Sequence, residues 1–464
     1  MRNGQEALLR DTVLLVTGID NWFARLFISG ARISAHNRFL EKNTMYQVGR
    51  LANGLTIATG EMPHMTSVSV GLWVGVGSRY EPAEMNGVCH FIEHLLFKGT
   101  KKRTAREISE AVEGIGGYLN AFTSEEATCF HARACHDRFE DLLDVLMDML
   151  HNSKFSPAEI TKERQVIKEE IAMYLDEPQH LVQELLNATI WPGQPLGRPI
   201  TGTNKTLDGL DRRKLVGYLR GNYIAGRTVL VATGKVKHQQ VVKAAAHYAR
   251  HFQNGAAPKS VAAQDGQSAP RMKLFTKDTE QTQLALGIRT CSRHDERRYA
   301  LRLLNTILGE NMSSRLFQII REDHGLAYSI YSSPSFFEDT GDLVISAGLD
   351  TDNLPRTLHL ITRELQRLVQ TAPSASELQR ARDYVLGQID LGQESTENQM
   401  NWIGEQLLGY GRVFSPNEVK RRLRQVTPGQ IRAAAHDFFR PERLNLALVS
   451  PLKSDKHLHK FLDS

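Results

Sequence analysis

The feature that most constrains this chain of 464 residues is a weak internal repeat with a spacing of 214 residues. The strand-like run Ser67 to Arg79 (SVSVGLWVGVGSR) ends in Ser-Arg, and Gln281 to Arg293 (QTQLALGIRTCSR) does the same. An amphipathic helical segment follows each. The ends rhyme as well: Leu215 to Tyr223 is helical in pattern and leads into a strand opening at Thr228, as Ile431 to Phe439 leads into one opening at Leu444. Solenoid repeats run about 20–50 residues, so a period this long signals a duplicated domain. Between the copies, residues 254–270 (NGAAPKSVAAQDGQSAP) are small, polar and rich in Pro and Gly, which is linker chemistry.

Within each half, strand runs mix with helical segments such as Ala105–Ile115, Glu140–Leu150, Ala158–Leu175 and Ser376–Leu391. Strands and helices do not strictly alternate, which favours α+β over a doubly wound parallel sheet. The expected architecture is two homologous tandem α+β domains, 45–253 and 271–464, each a largely antiparallel sheet packed with helices. Residues 1–44 read as a poorly ordered extension. Their arginines suggest an organellar transit peptide, but Glu6, Asp11, Asp20 and Glu41 count against one.

Composition closes off several classes. The formal net charge is +5, too mild to point to nucleic acid. No apolar run approaches the roughly 20 residues that cross a bilayer. The four cysteines (Cys89, Cys129, Cys135, Cys291) form no C-x-x-C pair and are too few for a disulfide scaffold. A cytoplasmic protein is expected.

The chemistry is concentrated in His90-Phe-Ile-Glu-His94. On a helix, positions i and i+4 share a face, so both imidazoles can reach one ion. Glu93, one residue before the second histidine, is placed to hold a water beside that ion. The competing reading is two histidines packed around a core helix. A second feature bears on the choice. In Glu163-Arg-Gln-Val-Ile-Lys-Glu-Glu170, Glu163 and Glu170 are at i and i+7 and share a helix face with Val166 and Ile167. A carboxylate on an apolar face is costly unless protonated, paired or bound to metal. Glu169 lies on the side of Lys162, Gln165 and Lys168 and reads as solvated. That makes Glu170 the better third ligand in a His2Glu set with one position left for water, and Glu163 a supporting carboxylate. The rival for this pair is a salt-bridged surface with Arg164 and Lys168. Cys89 points about 100° away from His90 and reads as a packed thiol.

These residues, with Gly77-Ser-Arg-Tyr-Glu81, Gly116-Gly-Tyr-Leu-Asn-Ala-Phe-Thr-Ser124 and Pro195-Leu-Gly-Arg-Pro-Ile-Thr-Gly202, resemble the pitrilysin/insulinase family of inverted-motif zinc peptidases. The two-domain, processing-peptidase-like bacterial members are the nearest in pattern, over about residues 45–450. The resemblance implies one zinc ion per chain on His90, His94 and Glu170, with Glu93 as the base and Glu163 in support. It also implies that a peptide substrate lies along the edge strand at Asn120, Ala121 and Phe122. In the second half no zinc motif recurs, since Leu303 to Leu308 holds neither His nor acid. The resemblance there implies that Arg321 and Tyr328 reach substrate, contributed by the partner of a homodimer that encloses a chamber. Two alternatives within the family are a catalytically silent scaffold subunit and a mitochondrial processing subunit.

Overall fold

The computed structural model describes residues 46–253, 255, 259–456 and 458–462; the 1–44 extension lies outside them. The first half builds a six-stranded sheet from β1 (Tyr46–Arg50), β2 (Thr56–Glu61), β3 (Ser67–Val74), β4 (Tyr118–Thr123), β5 (Thr128–Cys135) and β6 (Thr228–Gly234), in the order β1-β2-β6-β3-β5-β4. The second half builds a five-stranded sheet from β7 (Arg271–Thr276), β8 (Thr282–Thr290), β9 (Ala327–Phe336), β10 (Gly341–Leu349) and β11 (Leu444–Ser450), in the order β7-β11-β8-β10-β9. Apart from β1 the two orders correspond strand for strand. The chain is thus two sheet-plus-helix domains of one design.

Each sheet is largely antiparallel, as the sequence suggests, and is made mixed by one parallel pair. The parallel pairs are β2 with β6 and β7 with β11. The physical reason is the return path. The last strand of each half comes back through a helix and enters beside a strand that runs the same way, a crossover a hairpin cannot make.

β3, β6, β8 and β11 are buried along nearly their whole length, so both faces of each sheet are covered. In β3, Val68, Val70, Leu72 and Val74 turn to the core of their own half, with Phe91, Leu95 and Leu146. Ser69, Gly71 and Trp73 turn the other way and meet a helix of the second half, Thr396–Tyr410. Ser69 Oγ lies 2.9 Å from Thr396 Oγ1, and Trp73 Nε1 donates to Met400 Sδ at 3.1 Å. The arrangement is reciprocal. Helix Pro178–Ile190 of the first half covers β8 and β11, with Leu186 and Ile190 packed against Ala285, Ala447 and Val449. Each half therefore lends a helix to the other's sheet.

Candidate active site

The helix Val88–Leu96 carries the histidine motif. Val88, Phe91, Ile92, Leu95 and Leu96 are all buried, which fixes the helix by its apolar face and aims His90, Glu93 and His94 the other way. Its N-terminus is held by a carboxylate from upstream. Glu81, itself buried, accepts from Gly87 N at 2.7 Å, Cys89 N at 2.8 Å and Asn86 Nδ2 at 3.0 Å. Gly87 sits at φ 92°, a left-handed conformation that glycine adopts without a Cβ penalty. Cys89 is buried and directs its thiol to Tyr218 Oη.

The second helix of the site is Pro157–Asp176. Its buried stripe is Ile160, Glu163 and Ile167. Val166, expected on that stripe, is 42% exposed; it sits about 100° around from Ile167 and falls outside the strip the neighbouring helix covers. Glu169 is exposed and accepts from Gln165.

Between the two helices, His90 Nε2 and His94 Nε2 both face Glu170 Oε2, at 3.7 and 3.5 Å. These three side chains offer ligand atoms that all lie within 4.8 Å of one another. Ligands about 2.0–2.1 Å from a tetrahedral zinc stand roughly 3.3–3.4 Å apart, so the donor set fits that ion. Two imidazoles and a carboxylate also suit a divalent cation in charge and softness. Burial drives the His90 imidazole down to about 4, so it is neutral and able to donate its lone pair. His90 Nδ1 is buried and has no hydrogen-bond partner among the described residues.

The supporting contacts are specific. Glu163 Oε2 lies 3.3 Å from His94 Nδ1, which leaves Nε2 of that ring for a metal, and Lys98 Nζ lies 3.0 Å from Glu163 Oε1. Tyr174 Oη donates to Glu170 Oε1 at 2.9 Å, so the other carboxylate oxygen faces the histidines. Glu93 is half-buried, and desolvation pushes its carboxyl up to about 7 against the opposing pull of a hydrogen bond from Thr123. That bond, Thr123 Oγ1 to Glu93 Oε2, measures 2.5 Å. Tyr174 and Thr123 escape the sequence reading. Tyr174 does follow Glu170 at i+4, a visible spacing, but nothing local ties Thr123 to a glutamate thirty residues earlier.

The predicted substrate residues fall in two places. Asn120, Ala121 and Phe122 lie on β4, the edge of the first sheet, whose last residue is the Thr123 that holds Glu93. Phe122 stacks edge-on against Trp73, with ring centroids 5.4 Å apart. Arg321 and Tyr328 are neighbours in the second half, the guanidinium 5.5 Å from the ring centroid, and Tyr328 is 77% exposed. Arg321 otherwise meets Phe317 and Glu322, and neither residue joins the cluster around Glu170.

Residues 56–204 match the insulinase (peptidase family M16) family, and residues 209–385 match the peptidase M16 inactive domain. An uncharacterized zinc protease of Streptomyces coelicolor is 38% identical over 423 residues, 89% of this chain and 91% of that protein. The chain belongs to the insulinase family. A Bacillus subtilis member, also named an uncharacterized zinc protease, is 36% identical over 86% of this chain and 97% of its own. A crystal structure of a Helicobacter pylori protease shares the family's fold here, with a TM-score of 0.83 over 88% of this chain and 99% of that one, at 20% identity. The inactive-domain match begins at residue 209, near the end of the first half, and runs into the second half to 385; among the described residues of that stretch there is no His2Glu cluster.

Proposed function

We propose that this insulinase-family chain is a zinc-dependent endopeptidase that hydrolyses extended or unfolded peptides. The observation that carries the reading is the convergence of His90 Nε2, His94 Nε2 and Glu170 Oε2 beside the half-buried carboxylate of Glu93. The zinc-protease names of its relatives agree with it. His90, His94 and Glu170 would hold one zinc ion per chain, with Glu163 orienting His94 and Tyr174 orienting Glu170. Zinc, when bound, polarises a scissile carbonyl and lowers the pKa of water towards about 7.

Glu93 has two oxygens with different duties. Oε2 is taken by the Thr123 hydroxyl, so Oε1 takes a proton from the attacking water and returns it to the departing amine. The peptide pairs with the free edge of β4 at Asn120, Ala121 and Phe122, where backbone hydrogen bonds give affinity with little demand on side chains. In the same reading, units 45–253 and 271–464 are joined by 254–270, and two chains form a homodimer around an enclosed chamber. Arg321 and Tyr328 of one chain, both with exposed polar groups, reach the peptide carbonyl in the other. No helix among the described residues is long and apolar enough to cross a membrane, which is compatible with a cytoplasmic enzyme.

The test is cleavage of a quenched fluorescent basic peptide of about a dozen residues by the wild type and Glu93→Gln. The variant should bind zinc normally and lose about 10²–10⁴ in rate. Equal rates in the two proteins would remove the assigned base. Zinc binding by both with cleavage by neither would instead favour a silent binding subunit.

A further inference from the structure

The repeated Ser-Arg has a second use that the zinc cluster does not explain. Arg79 and Arg293 are equivalent in the duplication, and each ties the hairpin turn of its own half through its backbone. Arg79 N donates to Glu125 O at 2.8 Å in the β4–β5 turn; Arg293 N donates to Phe337 O at 2.9 Å in the β9–β10 turn. Their guanidinium groups then meet across the two halves. Arg79, 1% exposed, donates to Glu126 at 2.7 Å and to Asp339 of the second half at 2.6 Å. Arg293 of the second half reaches back to pair with the other oxygen of Glu126. Glu338 N also donates to Glu126, at 3.0 Å, and Ala263 N of the connecting segment donates to Asp339 at 2.8 Å.

Glu126, with a side chain 12% exposed, is thus gripped by one arginine from each half. It sits three residues beyond Thr123. The turn between them is short and stiff: Ser124 N and Oγ both donate to Ala127 O, at 2.8 and 3.0 Å. A displacement of the turn therefore moves the hydroxyl that holds Glu93, because no flexible segment absorbs it.

We infer that Glu126 is a positioning residue: the Arg79–Glu126–Arg293 clasp seats the β4–β5 hairpin against the second half and so sets where Thr123 holds the Glu93 carboxylate. The inference rests on the reading of Glu93 as the base. It gives the second half a part in catalysis within one chain, distinct from any group supplied by a partner.

The experiment is a double-mutant cycle on the zinc-loaded full chain, with Thr123→Val, Thr123→Ser, Glu126→Gln and the double Thr123→Val/Glu126→Gln. Thr123→Val should lower kcat at least about tenfold with KM within about twofold, and Thr123→Ser should recover kcat to within about threefold of wild type. Glu126→Gln should lower kcat by about three- to tenfold, and in the double variant it should cost nothing beyond Thr123→Val, because both act through one hydrogen bond. Amide hydrogen exchange across residues 118–128 should quicken in Glu126→Gln and stay unchanged in Thr123→Val. Losses that multiply in the double variant, a serine no better than valine, or unchanged exchange in Glu126→Gln would each overturn the inference. If Glu126→Gln does not fold, Asp339→Asn, a third exposed, enters the cycle with the same expectations. Glu93→Gln is run alongside. Activity retained there sinks the base assignment, while the exchange data still decide whether the clasp seats the hairpin.

Discussion

Glu163 is the residue whose setting is hardest to explain without a task. It is 1% exposed, between His94 Nδ1 and Lys98 Nζ. A buried carboxylate is expensive, and here it is matched by one ammonium and one ring N–H. Such outer partners fix the ring that reaches a metal, and losing one typically costs about 10–100-fold in metal affinity. Glu163→Gln should therefore weaken zinc by that factor in competition with a chromophoric chelator, while Glu169→Gln, on the exposed side, should leave affinity unchanged. Equal affinities for both would leave Glu163 as a structural ion pair. The helical phase of this segment was readable because Glu163 and Glu170 are seven residues apart and Glu169 is not. It misplaced Val166 because a 100° step separates a buried position from an exposed one, and a pattern of residue types does not say how wide the covering surface is. Thr123 was not readable at all: its partner is set by how a strand end and a helix meet, a tertiary fact.

At the scale of elements, the histidine helix is short, and its start depends on a cap from outside the local sequence. Ser, Thr, Asp or Asn just before a helix is the usual signal, and here Asn86-Gly87 precede it with no side-chain cap from Gly87. The acceptor is Glu81, six residues before Gly87, folded back so that one carboxylate serves two backbone N–H groups and Asn86. Burial pushes the Glu81 carboxyl upward, and hydrogen bonds led by the one from Cys89 N partly offset this. Glu81→Gln keeps the shape but turns an amide donor toward two donors. It should cost about 1–3 kcal/mol, seen as a lower midpoint in urea unfolding, with weaker zinc binding because His90 lies in the first turn. A midpoint equal to wild type would show that water or a shifted helix start replaces the cap. Strand positions were legible from the duplicated runs. The parallel pairs β2/β6 and β7/β11 were not, since strand direction depends on the return path and leaves no mark on residue alternation.

For the whole molecule, the repeat predicts two like domains but not that they exchange helices. Reciprocal covering leaves neither sheet complete alone: Trp73 is 1% exposed only because Thr396–Tyr410 lies over it, and Gly287 has Ile190 of the other half close by. The two cores should then lose their structure together. Calorimetry of the metal-free chain is expected to show one transition. Gly404 supplies the sharper test, since it belongs to the second half while its neighbour belongs to the first. A Cβ built there would lie 2.4 Å from the Trp73 indole, which β3 and Met400 hold in place. Relief requires the helix or the ring to shift, and overpacking of this kind costs about 1–3 kcal/mol. Gly404→Ala should move the single transition down as one, and far-ultraviolet ellipticity and tryptophan fluorescence should report the same midpoint. If the transition instead split, with one step moved down and a second left where it was, the halves would be independent units that merely touch.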